Sequence, residues 1–320
     1  MCSRGANALG HATRESSTVP VDTSPDKVVS LSEAVAGVAD GAVVALGGGL
    51  SSRLPMALVR ELCRQQRRDL HLVGSAHGID VDLLIAAGAV GVVEESYVGF
   101  EQDLGVAPAY RSAIETGAVE LRETCCATLL AQLRAAEYGI PFMPVRGVLG
   151  STILQLHPEY RELECPFTGE RLLLAPALSP DVALLHAVAA DAAGNVVLPK
   201  PYVLDVRFAY ASRRVIVSTE RILEPGQLKL DEVTIPHFVV GAVVEAPYGA
   251  HPASCYPDYS YDRRALQDWV KVASSNGRLR NVIEALVAED ESAYRAALGS
   301  ARLEELRAWD ARDRLLDLMQ

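Results

Sequence analysis

The stretch DGAVVALGGGLSSRLP, from Asp40 to Pro55, gathers the groups most able to do chemistry: Gly47, Gly48 and Gly49, then Ser51, Ser52 and Arg53. Glycines let a backbone approach a ligand closely and leave N–H groups to donate. The serines add hydroxyl groups and Arg53 a planar cationic fork. A helix opening at Pro55 would add its partly positive N-terminus. Together these groups suit a carboxylate or a developing oxyanion. The same residues also read as a tight strand-to-helix turn whose glycines only permit packing, and this loop alone leaves both readings open. A Walker loop is excluded because no lysine follows the glycines, and the dinucleotide fingerprint fails where Ser52 replaces its third glycine.

Other candidates lie further along. Ser75 and His77, in GSAHG, could bond a substrate carboxylate or carbonyl; His77 could equally be an ordinary loop histidine. Arg146, in MPVRGVLGS, is a second anion fork with Gly147 and Gly150 opening the backbone, or else half of a surface ion pair. Phe100 could wall an acyl pocket or belong to the core. His186 sits in an apolar run, where a satisfied core histidine is expected. Cys125 and Cys126 stand at a predicted helix start as reactive thiols or as small packing residues. No Cys/His spacing suits zinc, so no metal is expected.

These residues need elements to position them. SLSEAVAGVADG reads as a helix capped by Ser30 or Ser32, AVVALGGG as a buried strand, and PMALVRELCRQQ as a helix. DLHLVGSAHG and VGVVEESYVG are strands, separated by the helix DVDLLIAAGAV. PAYRSAIETGA and CATLLAQLRAAEYG are helices around the short strand VELRE. DVALLHAVAA, RRVIVSTERI and FVVGAVVEAP are later strands, and amphipathic helix dominates from about Asp262. Such alternation predicts an α/β fold, an open and largely parallel sheet with helices on both faces. Ligands of such sheets lie beyond the carboxyl ends of strands, which singles out loops 47–53, 74–78 and 99–105.

Composition narrows the function. The 320 residues are 49% hydrophobic and 22% charged, with a formal net charge of −11. The absence of a Lys/Arg block in an acidic chain argues against nucleic acid. No apolar run is long enough to span a membrane. Residues 1–27 read as a disordered leader and 28–320 as one domain with a helical C-terminal segment. Six cysteines without a C-x-x-C pair suit reduced thiols in a cytoplasm.

The stretch 40–55 resembles the signature of the class I coenzyme A transferases. That pattern is Asp/Asn-Gly, two residues, three apolar residues, Gly-Gly-Phe, three residues, Gly, one residue, Pro. Asp40, Gly41, Val44, Ala45, Leu46, Gly47, Gly48 and Pro55 fit it in register. Gly49 stands where phenylalanine is usual and Arg53 where glycine is usual, the latter as in the glutaconate CoA-transferase branch. VGFEQDLGVAPAYRSAIETGAVE, GIPFMPVRGVLGS, SPDVALLHAVAADAAGNVV and PHFVVGAVVEAPYGAHPASCYPDYSYD are similar to further family segments, in order, up to about residue 273.

The resemblance implies the CoA-transferase fold and a covalent glutamate mechanism. In that family a glutamate attacks the acyl-CoA thioester, CoA returns to form a glutamyl thioester, and the acceptor acid takes the CoA. The glutamate usually lies in a Ser-Glu-Asn-Gly-type motif of a beta chain. This chain lacks the motif, so it resembles an alpha subunit with no catalytic residue of its own, acting on a CoA thioester without a permanent cofactor. The assembly implied is α2β2 or a multiple. Gly47, Gly48 and Gly49 would present backbone donors, and Ser51, Ser52 and Arg53 would orient the carboxylate opposite Ser75, His77 and Arg146. On this reading Arg53→Ala weakens use of the acid far more than it destabilises the fold. Glu94, Glu95, Glu220 and Glu245 follow apolar strands and are expected as solvated or capping groups. Related alpha-like chains of ring-opening CoA-thioester hydrolases use a glutamate at the start of the long helix, where ETCCATLL stands here. That hydrolase and a non-catalytic scaffold are the alternatives.

Overall fold

The computed structural model describes residues 26–100, 104–224, 227–274, 279–288 and 290–308. The expected leader falls largely on residues 1–25, outside the described residues. Lys27 at its end is tied in: its N–H donates to Ala192 and its carbonyl accepts from Val243, both at 2.9 Å.

The chain opens with α1 (Leu31–Ala36), whose Ser30 and Glu33 form a reciprocal capping box. There follow β1 (Val43–Leu46), α2 (Met56–Arg64), β2 (Leu70–Val73), β3 (Ala76–His77), α3 (Ile79–Ala86), β4 (Val90–Glu94) and β5 (Tyr97–Val98). Next come α4 (Pro108–Thr116), β6 (Glu120–Leu121), α5 (Cys126–Glu137), β7 (Phe142–Val145), β8 (Arg161–Glu164) and β9 (Arg171–Pro176). The second half holds β10 (Val182–Ala187), β11 (Ala189–Asp191), β12 (Val196–Val197), α6 (Asp205–Ala211), β13 (Val215–Thr219), β14 (Ile222–Leu223) and β15 (Ala242–Glu245). Helices α7 (Arg263–Ala273), α8 (Leu279–Ala288), α9 (Glu291–Leu298) and α10 (Ser300–Arg307) close the described chain.

Seven strands form one sheet in the order β15-β13-β10-β1-β2-β4-β6, every neighbouring pair parallel. Its strands are short apolar runs because both faces are covered. Along β1, Val44 and Leu46 join one core while Ala45 joins the other. Leu184 and Leu185 of β10, and Ile216 and Val217 of β13, divide in the same way, the period-two signature of a strand. Helices α1 to α4 and α7 contribute to the first core, and α5 and α6 to the second. Strand β1 lies between β2 and β10: the chain leaves β1 toward β2 and β4 on one side, and β10 starts the run through β13 to β15 on the other. The glycine loop therefore opens at the sheet's switch point, where parallel α/β sheets leave a crevice.

The alternation is interrupted between α5 and β10 by an antiparallel sheet ordered β7-β9-β8. Its edge strand β7 carries Pro144, which a central strand would not tolerate. No helix among the described residues is long and apolar enough to cross a membrane.

Candidate active site

The loop after β1 is locked by its own chain. Gly47 N–H donates to Leu184 at 2.9 Å, Gly48 N–H to Asp205 Oδ1 at 2.8 Å, and Gly49 N–H to Ser52 at 3.0 Å. Leu50 N–H donates to Ala76 at 2.7 Å, joining this loop to the one after β2. The three glycine amides are thus engaged inside the protein, and the glycines act through space and backbone angle. Gly48 has φ of +75°, and a Cβ there would lie 2.4 Å from the Ser52 carbonyl oxygen. A Cβ on Gly47 would lie 2.4 Å from Leu185 Cδ2. At Gly49 it would meet Val203 Cγ1 at 3.3 Å, which identifies Val203 as a wall of the loop. Ser51 and Ser52 are half-buried on the same loop.

Arg53 does not reach outward. Its side chain is 2% exposed and its guanidinium donates to Asp205 Oδ2 at 2.9 Å and to the Pro201 carbonyl at 2.8 Å. Asp205 is itself fully buried. The pair clamps loop 47–53 to the segment leading into α6. Sequence reasoning missed Asp205, whose only mark is an acidic residue within the apolar stretch YVLDVRFAY. A second clamp comes from the chain after β15. Arg53 N–H donates to the Ser254 carbonyl, and Ser254 N–H and Oγ both donate to the Ser51 carbonyl.

His77 is also buried. Its Nδ1 lies 3.0 Å from Glu95 Oε1 and 3.6 Å from Asp80 Oδ2. Burial opposes its charge, but the Glu95 and Asp80 carboxylates outweigh that and raise it to about 9. The imidazolium therefore knits the ends of β2 and β4 together. Asp80 Oδ1 also accepts the Gly78 N–H at 3.0 Å.

Ser75 is half-buried and reaches an unexpected partner. Its Oγ donates to Cys126 Sγ at 3.1 Å, and Ser96 Oγ lies 3.0 Å from the same sulfur. Cys126 is exposed at the first position of α5, and Cys125 before it is half-buried. Phe100 belongs to the first hydrophobic core, and residues 101–103 of the loop beyond it lie outside the described residues. Arg146 stands apart from this group: its side chain is 78% exposed and pairs with Glu170 at 2.7 Å. Its neighbour Gly147 lies against α5, where a Cβ would be 3.3 Å from Thr128 Oγ1. The structure thus brings Gly47, Gly48, Gly49, Ser51, Ser52, Arg53, Ser75 and His77 onto adjoining strand ends, with Arg53 and His77 beneath the surface.

The strand-end carboxylates have partners. Glu94 Oε2 lies 3.0 Å from His71 Nε2. Glu220 Oε1 accepts from Tyr259 Oη and meets His186 Nε2, both at 2.7 Å, while Oε2 accepts the Tyr248 N–H at 2.8 Å. His186, Glu220 and Cys255 bring three potential metal-ligating atoms within 4.8 Å of one another. Protein donors already occupy that carboxylate, and burial pushes the Cys255 thiol well up, so the cluster behaves as a hydrogen-bond hub.

A family model described as Coenzyme A transferase matches residues 28–246. The chain belongs to the coenzyme A transferase family. It is 34% identical over 251 residues to the A chain of 3-oxoadipate CoA-transferase from Pseudomonas knackmussii, covering 77% of this chain and 88% of that one. It is 32% identical over 286 residues to the cholesterol ring-cleaving hydrolase IpdA subunit of Mycobacterium tuberculosis, covering 86% and 97%. An uncharacterized protein of Archaeoglobus fulgidus is 33% identical over 289 residues, which span 88% of this chain and 64% of that protein's length. Among solved structures, glutaconate coenzyme A-transferase from Acidaminococcus fermentans superposes with a TM-score of 0.84 at 30% identity, covering 88% of this chain and 96% of that one. Sequence and fold thus place this CoA-transferase chain with the alpha chains of the glutaconate-type branch of the family.

Proposed function

We propose that the chain is the alpha subunit of a heteromeric CoA-transferase that moves coenzyme A between an acyl-CoA and a small carboxylic acid. A beta subunit supplies the nucleophilic glutamate. The observation that carries this reading is the state of the local carboxylates. Glu94 and Glu220 are bonded to protein groups, and Glu95 is buried beside His77. Glu245 ends the edge strand β15, with β13 and β10 between it and β1. A carboxylate nucleophile depends on placement against the thioester and on donors for the oxyanion. None of these four is so placed.

In this assembly loop 47–53 gives the cleft its shape, and Ser51, Ser52 and Ser75 offer hydroxyl groups to the acyl or acceptor carboxylate. Arg53 and His77 hold those loops from below. Arg146 exchanges Glu170 for an anionic group of the substrate, and Phe100 backs the acyl end. The CoA thioester is substrate, with no permanent cofactor, and the complex works in the cytoplasm, where its thiols stay reduced.

The test is to tag the chain in its native cell, identify what co-purifies, and treat the complex with acyl-CoA and borohydride. A partner glutamate reduced only after acyl-CoA is the expected result. Isolation of an active chain with no partner would overturn the reading. Release of free CoA or a ring-opened product, with no new thioester, would assign the complex to the hydrolases instead. In that case the glutamate those hydrolases carry at the start of α5 would have to be replaced, because Cys125 and Cys126 stand there.

A further inference from the structure

Pro201 and Asp205 flank Val203 at equal distance along the chain, and one guanidinium holds both. Arg53 donates to the Pro201 carbonyl at 2.8 Å and to Asp205 Oδ2 at 2.9 Å, while Asp205 Oδ1 accepts the Gly48 N–H. The Asp205 N–H turns back to the Tyr202 carbonyl at 2.9 Å. Segment 201–205 is therefore bolted to the glycine loop at both ends, and its middle residue is pushed outward. Val203 is 47% exposed and has φ of +47°. A β-branched residue is poorly suited to that left-handed region, where glycine or asparagine would sit with less strain.

The outward valine stands beside the cleft loops. A Cβ on Gly49 would lie 3.3 Å from Val203 Cγ1, 3.6 Å from Cγ2 and 3.4 Å from the Ala76 carbonyl oxygen. Gly49 is thus where three segments meet: loop 47–53, loop 74–78 and 201–205. Leu50, next in the chain, is half-buried and is a second branched apolar residue at positive φ, +53°. Strained residues persist where the surrounding structure over-determines them, and they gather at ligand clamps and active sites.

The chemistry of this corner is apolar. The N–H groups of Gly47, Gly48, Gly49 and Leu50 all donate within the protein. Arg53 is held by Asp205 and His77 by Glu95. The exposed Lys200 precedes the anchored stretch, and Arg146 pairs with Glu170 away from this loop. The reading above gives the Ser51 and Ser52 hydroxyl groups to the reacting carboxyl. A further carboxylate laid against Val203 would lose its water and gain no amide of loop 47–50 in return, whereas a hydrocarbon chain gains from the same contact.

We propose that Val203 is a specificity-determining residue: with Leu50 it forms an apolar wall that receives the acyl chain. The wall selects short aliphatic acyl groups over longer ones and over those ending in a second carboxylate. The proposal rests on the reading that this cleft admits an acyl-CoA. Val203 sets the length limit because its methyl groups occupy the space over Gly49. One methylene of misfit in an apolar pocket is worth about tenfold or more in kcat/KM.

The experiment uses the complex that co-purifies with the chain. It is treated with borohydride and, in turn, acetyl-, butanoyl-, hexanoyl- and succinyl-CoA. Trapping needs no acceptor acid, so its second-order rate constant reads donor preference alone. Ratios between thioesters are taken within one preparation, so a partly folded variant does not distort them. Wild type should trap butanoyl-CoA about tenfold or more faster than hexanoyl-CoA. It should favour butanoyl-CoA by a similar factor over succinyl-CoA, whose acyl chain has the same carbon count and ends in a carboxylate. Val203→Ala and Val203→Gly should each raise the hexanoyl-to-butanoyl ratio about tenfold. Val203→Lys should raise the succinyl-to-butanoyl ratio. Unchanged ratios in all three variants, with trapping intact, would overturn the proposal and leave the transferase reading standing, because Val203 would then face the partner chain or solvent. Preference of wild type for succinyl-CoA over butanoyl-CoA would overturn the apolar wall. Failure of wild type to trap any of these thioesters would overturn the transferase reading and the proposal with it.

Discussion

Arg53 and Asp205 face each other in a place that excludes water, and the consequence for mutation is direct. Removing one member of a buried ion pair leaves the other charge uncompensated, at a cost of about 3–5 kcal/mol. Arg53→Ala should therefore lower the urea midpoint sharply. The expectation from sequence was that Arg53→Ala weakens use of the acid far more than it destabilises the fold; the buried pair puts a large stability loss beside any effect on the acid. A variant of wild-type stability with impaired acid use would restore that expectation. Nothing in the residue order distinguishes an inward arginine from an outward one, because its partner lies 152 positions away. His77 carries a pH dependence of definite sign. Its folded pKa, raised to about 9, exceeds the ordinary histidine value, so the stabilisation is fully present below about pH 6.5. It is lost as pH rises through about 9. The melting-temperature gap between wild type and His77→Gln should accordingly narrow on going from neutral to alkaline buffer.

At the scale of elements, the turn after β1 is specified by backbone angle. Gly48→Ala would hold a side chain at φ of +75° and press its Cβ against the Ser52 carbonyl oxygen. Strain of this kind costs about 1–3 kcal/mol. Activity should fall along with stability, since the loop must shift to relieve the contact. Helix α7 is fixed to α3 by Trp269 Nε1, which donates to Asp82 Oδ2 at 2.7 Å. Trp269→Phe leaves a buried acceptor without its donor and should cost about 1–3 kcal/mol by urea unfolding. Asp82 adds a second pH signature, because burial pushes its carboxyl up to about 6. Its stabilising contribution is complete below the usual aspartate range and disappears as pH rises through about 6. Asp82→Asn should flatten the fall in urea midpoint across that interval. Elements of this kind were largely legible. The Ser30 cap, the short apolar strands and the Gly139 stop all carry local signals, and each helix expected up to α5 is present. The antiparallel insertion was not legible, because β8 (RELE) is polar and exposed along its length and the apolar β7 (FMPV) contains a proline and buries none of its residues fully.

For the whole molecule, seven parallel strands between two helical layers follow from the alternation of apolar runs along the chain. The order of those strands decides which loops become neighbours. Loops 47–53 and 74–78, which sequence placed at strand ends, do converge, and Gly99 N–H reaches the His77 carbonyl, but nothing local marks Asp205, Glu95 and Ser254 as the groups that fix them. Contacts between segments far apart in the chain leave no periodic trace, and that limited the reading of the site more than any ambiguity of helix or strand. At this scale the expectation is that the chain is active only with a second subunit, and the borohydride experiment on the co-purified complex checks it.

Ser254 bonds to Ser51 across 203 positions, and Arg53 N–H to the carbonyl of the same serine. Synthesis runs from the amino end, so the rim at Ser51 is made first and cannot be fastened until the segment bearing Ser254, 203 residues later, has left the ribosome. Contacts closed over so long a span form late. Until that segment emerges, the nascent chain carries a half-built cleft. Truncated products of interrupted translation should therefore fail to recruit a companion chain, and so be kept out of assembled enzyme.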